Sequence, residues 1–356
     1  MTRTAPAPAE GLRIPGSPRI LVLRNNDLGD LIVVTPLFEA LKRRFPTSYL
    51  AAGVGRWATA ILEGNPFVDE ILPVEAPWYN KYVPQGRLRA LRYLWSEQAQ
   101  RLRESHFDLG IDVLGSRWGQ LLFRRSGIPF TLGRSGFAGG ESWATMTIPH
   151  RIDESVGQNA LRFASILGQH ELPPATPQIF LSEHEVQLGE AFWQQAERGA
   201  RRRRWLVAPG SGLPQKSWPR PNFIKATLLL TREVDADVVL LYGHEEVQFA
   251  RELVAQSPSV RLAPAGCPLR EVFGIVAASD ALLTNSSMTL HVAAAFSKPA
   301  LTVLGPAFHS ARQHQAVWGH PTTRSLGAEA GESEGLPGPE QAVHQFLELA
   351  NGSRPR

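Results

Sequence analysis

Four turns in this chain carry polar residues able to do chemistry, and each follows an apolar run. The first, Asn25–Asp30 (NNDLGD), ends in Asp30. A carboxylate there can cap the following helix, or face a ligand as a general base. The second, Ala208–Pro219 (APGSGLPQKSWP), brings Gly210, Ser211 and Gly212 ahead of Lys216. Glycines let backbone approach a ligand closely, and the lysine supplies a mobile point charge. The third, Leu240–Glu246 (LLYGHEE), offers Glu245 as an acceptor for ribose hydroxyls, or as a residue that merely starts a helix. The fourth lies in Ala281–Pro306, where Ser286, Ser287 and Met288 precede a helical run containing His291. A strand–turn–helix of this kind aims free N–H groups and the positive end of a helix dipole at one point, which suits a phosphate.

The elements around these turns alternate. Arg19–Arg24 reads as a strand, Leu31, Val34, Phe38, Leu41 and Phe45 fall at helical spacing across an early Pro36, and Ser48–Gly53 reads as a second strand. This βαβ unit implies a parallel sheet. The pattern runs on through a single long helix over Gly86–Glu104, a strand over Phe107–Val113, a Gly-rich surface loop over Gly133–Thr147 and a helix over Glu154–Leu167. The Pro-rich Leu172–Gln178 reads as a linker, and a second alternation begins at Trp205–Ala208. The expected organisation is a disordered leader over 1–17, an α/β domain over 18–180 and a second over 181–335. A closing helix and tail over 336–356 is placed back on the first domain. In open α/β sheets ligands sit beyond the carboxyl ends of strands, where the polar turns fall.

Composition narrows the class. At 356 residues, 43% hydrophobic and 20% charged, the chain is a multi-domain globular protein rather than a disordered or fibrous one. The net charge of +4 favours an anionic ligand. The run Arg201–Arg204 lacks the aromatic interleaving of a nucleic-acid module and reads as a solvated turn before a strand. Cys267 is the sole cysteine, so an internal disulfide and a cysteine-held metal cluster are excluded and a reducing cytoplasm is the expected home. No run approaches the roughly 20 apolar residues of a membrane span. No Gly-x-Gly-x-x-Gly follows the first strand, which disfavours a dinucleotide oxidoreductase.

In order and spacing, these segments resemble the ADP-heptose:lipopolysaccharide heptosyltransferases, glycosyltransferase family 9. The resemblance runs roughly from Arg19 to Pro306. It rests on RILVLRNNDLGDLIVVTPLFEALKRRFP, on FDLGIDVLGS, on KSWP and on SMTLHVAAAFSKPALTVLGP. The resemblance implies a GT-B fold, two Rossmann-like parallel-sheet domains facing across a cleft. It implies inverting glycosyl transfer with no metal and no cofactor, from a nucleotide sugar, ADP-linked, to an anionic glycolipid or glycan. Carried to matching positions, it makes Asp30 the base, Lys216 a phosphate contact, Glu245 the ribose acid and His291 part of the phosphate-side helix. The family usually reads Asn-Asp-Ser/Thr-Gly ahead of that helix. Here Ser286 stands for the aspartate and Met288 for the glycine.

The departure keeps two alternatives open: transfer of another nucleotide sugar to a glycoprotein or natural product, or nucleotide-sugar binding without turnover. On the acceptor side, Arg87, Arg89 and Arg92 read either as a solvated helix face or as a cationic platform for a phosphorylated glycolipid. The second reading puts the protein in peripheral contact with the inner face of the cytoplasmic membrane.

Overall fold

A computed structural model describes residues 14–196, 203–233, 236–329 and 335–352. The chain divides into two compact units, 1–180 and 181–356. In the first, strands β1 (Arg19–Leu23), β2 (Tyr49–Val54), β3 (Glu70–Pro73), β4 (Leu109–Asp112), β5 (Phe130–Ser135) and β6 (Met146–Pro149) form one sheet in the order β3-β2-β1-β4-β5-β6. In the second, β7 (Arg203–Ala208), β8 (Ala236–Leu240), β9 (Arg261–Leu262), β10 (Ala281–Thr284), β11 (Ala300–Val303) and β12 (Thr323–Leu326) form another in the order β12-β11-β10-β7-β8-β9. Every pairing is parallel.

Parallel strands joined by helical crossovers are covered on both faces, which is why the central strands read as unbroken apolar runs. Ile20, Leu21 and Val22 in β1 and Leu282 and Leu283 in β10 are fully buried. One face of the first sheet packs Leu21, Leu23 and Ala51 against Trp78, Tyr93 and Phe123. The second unit packs Trp205, Val207 and Leu283 against Trp218, Phe249 and Phe346. In each sheet the order reverses beside the first strand of the unit, and the polar turns after β1, β7 and β10 follow central strands there.

Several elements differ from the expectation. The helix after β1 is two helices, Leu28–Ile32 and Pro36–Arg44. Proline lacks an N–H and clashes one turn back, so Pro36 opens the second helix instead of continuing the first. The long helix over 86–104 is likewise two, Arg87–Tyr93 and Glu97–Glu104. Ser96 ends the first by capping the second, accepting from Ala99 N at 3.2 Å. The Gly-rich stretch is not all loop, because β5 runs to Ser135 and β6 begins at Met146. The closing helix Pro339–Gly352 lies within the second unit, with Phe346 edge-on to Trp205 at 5.2 Å between ring centroids. Arg203 and Arg204 belong to β7, and Arg204 donates to Glu190 at 2.7 Å, so they are not a solvated turn. Arg201, Arg202 and residues 1–13 of the expected leader lie outside the described residues.

Candidate functional site

In the first unit the turn after β1 is held from beneath. Asn25 Nδ2 donates to the carbonyls of Ala76 and Trp78, and Asn26 Nδ2 donates to Tyr79 O at 2.7 Å. Trp57 Nε1 donates to Asn26 O at 3.0 Å. Trp57 can fold back because residue 55 is glycine; a Cβ there would stand 2.1 Å from the indole. These bonds leave Asp30, in the short Leu28–Ile32 helix, 29% exposed at its side chain. Arg24, at 5% exposure, donates from Nη2 to Asp30 Oδ1 at 3.0 Å and from Nε to Asp30 O at 3.2 Å. The pair orients the carboxylate through Oδ1. Tyr82 stacks on Trp57 with centroids 4.6 Å apart. Its phenol is pushed up to about 12, first by burial and then by the charges of Asp27 and Asp30. An aromatic shelf therefore stands beside two carboxylates.

Farther along, Arg87, Arg89 and Arg92 are exposed on the Arg87–Tyr93 helix, and Arg89 reaches back to Gln85 O. The same helix exposes Leu88 and Leu91, and Trp95 follows at 66% exposure. Leu88 and Leu91, three residues apart within the helix, share one face, and Trp95 lies in the turn that follows it. Sequence reading passed over Arg134 in β5. This guanidinium is 3% exposed, and its Nε and Nη2 have no hydrogen-bond partner among the described residues. Burial pushes it down to about 10, with Arg24 and Arg162 adding to the effect and Asp112 opposing it.

In the second unit Asn285 knits two turns together. It is fully buried, its Oδ1 accepts from Trp218 N at 2.8 Å, and its Nδ2 donates to Pro209 O. The turn after β10 is thereby fixed beside the Gly210–Lys216 loop. A third strand end closes on the same place: Gly305 N donates to Lys216 O at 3.2 Å and Ala307 N to Gln215 O at 3.0 Å. Gly305 is required there, since a Cβ would stand 2.3 Å from Ser217 O. Lys216 is half-buried. Ser287 occupies the N-cap position of the Met288–Ala295 helix, and its hydroxyl bonds to Thr289 Oγ1 at 2.8 Å. Met288 is the first helical residue and is not in the left-handed region, so the position does not demand glycine.

The structure brings Lys216, Ser286, Ser287 and Met288 into one neighbourhood, and Gly210 and Ser211 head the adjoining loop, with Gly212 exposed. His291 lies in the first turn of the Met288–Ala295 helix and is buried. It is 5% exposed, and its Nδ1 pairs with His320 Nε2 at 2.9 Å. Burial, then His320 and His314, push its imidazole well below the ordinary value. Glu245 is exposed, with its carbonyl accepting from Arg220. The neighbouring Glu246 is the carboxylate that faces Gly210, at 3.5 Å from where a Cβ would stand, and it also accepts from Gly243 N at 2.9 Å. Adjacent glutamates in a short 3-10 turn point different ways, and only the fold tells which one turns inward. His314 was also invisible to sequence reading; its Nε2 lies 2.8 Å from Ser286 Oγ. Among the described residues no helix is long and apolar enough to cross a membrane.

Known proteins resemble this chain along most of its length. The model of "Glycosyltransferase family 9 (heptosyltransferase)" matches residues 95–326. Lipopolysaccharide heptosyltransferase 2 of Escherichia coli K12 is 24% identical over 349 residues, covering 89% of this chain and 94% of the relative. Among solved structures, a family 9 glycosyl transferase from Veillonella parvula superposes with a TM-score of 0.77 at 20% identity, covering 94% of this chain and 98% of the other. The E. coli ADP-heptose lps heptosyltransferase II does so at 0.73 and 20% identity, covering 94% and 99%.

Proposed function

The chain belongs to glycosyltransferase family 9, and on that footing we propose that it transfers a heptose from ADP-heptose to a hydroxyl of a lipopolysaccharide-core-like acceptor, with inversion and without a metal. The carrying observation is the convergence of Lys216 with the turn at the start of the Met288–Ala295 helix, held by Asn285 and Gly305. A cation and a helix N-terminus at one point match a departing diphosphate.

In this reading the donor's diphosphate lies against Lys216 and the N–H groups of Ser286, Ser287 and Met288. Gly210, Ser211 and Gly212 provide the adjoining backbone. Glu246, or Glu245 after a small turn of the loop, takes the ribose hydroxyls. His291 supports the helix from inside. As the bond from the anomeric carbon to the diphosphate breaks, negative charge grows on the leaving oxygens, and these fixed dipoles and the lysine stabilise it. Asp30 removes the proton from the attacking acceptor hydroxyl, and Arg24 keeps the carboxylate aimed.

The acceptor is proposed to be an anionic glycolipid met at the inner face of the cytoplasmic membrane. The support is the exposure of Leu88, Leu91 and Trp95 close in sequence to the exposed Arg87, Arg89 and Arg92, a combination that suits the interface of an anionic bilayer. A second reading, transfer of a different sugar, is favoured by one observation. The family's carboxylate position is here Ser286, a neutral group bonded to His314.

The test is direct. Purified protein is incubated with ADP-heptose and a lipopolysaccharide core lacking its outer heptose, and ADP release and product mass are followed. Heptosylated product of inverted anomeric configuration, formed in the presence of a chelator, is expected. No product from ADP-heptose, together with turnover of another nucleotide sugar, would replace the heptose assignment.

A further inference from the structure

The hydrogen-bond chain behind Ser286 runs in one direction. Gln315 Nε2 donates to Thr323 O at 2.9 Å and approaches His320 O at 3.5 Å. The amide is thus held with Oε1 on the other side, because flipping it would set oxygen against two carbonyls. Ser325 Oγ lies 3.0 Å from that Oε1. An amide oxygen only accepts, so the single hydroxyl proton of Ser325 goes to Gln315. Ser325 Oγ also lies 2.8 Å from His314 Nδ1. Having spent its proton, Ser325 can only accept there, so His314 carries its hydrogen on Nδ1 and its Nε2 is a bare lone pair. That lone pair faces Ser286 Oγ at 2.8 Å. The proton of Ser286 therefore points at His314.

We infer that His314 is a positioning residue that locks Ser286 as an acceptor-only group, and that Ser286 Oγ thereby recognises an O–H of the donor's sugar. An unlocked serine can donate or accept, whereas this one turns only lone pairs outward. In hydrogen-bonding terms it behaves as a carboxylate does, but without the charge. The inference rests on the donor reading given above and names the contact that distinguishes a nucleotide sugar from a bare nucleotide. Its setting is consistent. Ser286 is half-buried, directly after Thr284 and Asn285 at the end of β10 and in the neighbourhood of Lys216. Ser286 Oγ has no other hydrogen-bond partner among the described residues. His314 is 3% exposed, so the lock is shielded from water. Burial, then the charge of Lys216, holds its imidazole down to about 4, which keeps Nε2 unprotonated at neutral pH.

The test compares ADP with ADP-heptose by titration calorimetry on the full chain. Ser286→Ala and His314→Ala are each expected to weaken ADP-heptose roughly tenfold, one net hydrogen bond, while ADP stays within about twofold. Because both act on one contact, the double variant should lose no more than the worse single one. Ser286→Asp, acceptor-only without help, should restore ADP-heptose binding in the His314→Ala background. Equal losses for ADP and ADP-heptose, or additive losses, overturn the inference and leave the donor reading intact. A wild-type protein that binds ADP-heptose no better than ADP overturns both. Should His314→Ala not fold, Ser286→Ala and the wild-type imidazole remain informative. In ¹⁵N spectra of histidine-labelled wild-type protein, His314 should show hydrogen on Nδ1 at pH 7. Hydrogen on Nε2 would refute the lock.

Discussion

Arg24 holds Asp30 by two of its nitrogens, one on the carboxylate at 3.0 Å and one on the backbone carbonyl at 3.2 Å. A carboxylate held at one oxygen by a buried guanidinium that also grips the same residue's backbone carbonyl is restricted in orientation, which is what a general base needs. Asp30→Asn keeps the shape and removes the basicity. Turnover should fall about 10²–10⁴-fold with donor affinity unchanged. Steady-state kinetics with both substrates checks this, and near-full turnover in the variant removes Asp30 from the mechanism.

Lys216 and Gly305 should fail differently. Lys216→Ala removes the cation and should raise the donor KM and lower kcat, with Lys216→Arg recovering only part, since a fork replaces a point charge. Gly305→Ala puts a methyl 2.3 Å from Ser217 O, so the loop must move. Its expected cost is about 1–3 kcal/mol in urea unfolding, together with weaker ADP binding. A Gly305→Ala protein with wild-type stability and ADP affinity would show that the loop is not held as described.

The buried histidines make stability depend on pH. Burial holds both His314 and His320 down to about 4, against an ordinary value of 6.5. Between those values the unfolded chain binds protons that the folded one does not. Their contribution is therefore intact above about 6.5 and is lost as pH falls toward 4, at up to roughly 1.4 kcal/mol per pH unit for each. Urea unfolding from pH 7.5 to 4.5 should show this slope, and His320→Asn should flatten it. An unchanged slope in the variant would assign the effect elsewhere.

Arg134 is a buried cation with two nitrogens left without hydrogen-bond partners among the described residues. Desolvation of such a group opposes folding. Arg134→Met should leave the melting temperature unchanged or raise it, contrary to the usual result of a core substitution. A fall of more than a few degrees would mean that its attraction to Asp112 outweighs the desolvation.

If Arg87, Arg89 and Arg92 meet an anionic acceptor, binding should weaken steeply with salt, because exposed charges are screened over about 10 Å at 0.1 M. The acceptor KM should rise between 50 and 300 mM salt, and the triple alanine variant should flatten that rise. Leu88→Ser with Trp95→Ser should reduce co-sedimentation with phosphatidylglycerol vesicles. A KM indifferent to salt would return these arginines to an ordinary solvated face.

Much of this was legible in the linear chain, and the misses have physical causes. Alternating apolar runs and polar turns announced two parallel sheets because strands covered on both faces must be continuously apolar. The helix breaks at Pro36 and Ser96 were present as letters, but hydrophobic spacing alone runs through them. Long-range polar partners left no periodic trace. Arg24 with Asp30 is a contact of sequence neighbours, whereas Ser286 with His314 joins positions 28 apart across separate crossovers.

Residue types, their order and the periodicity of burial determined the fold class, the strand ends and the pool of chemical groups, since those depend on each segment's own backbone and apolar face. Which of two adjacent glutamates turns toward Gly210, that His291 faces inward to His320, and which way the proton of Ser286 points were decided by tertiary structure. A side chain's partner is set by the three-dimensional placement of other elements. A hydrogen bond's direction is set by the whole chain of donors and acceptors behind it.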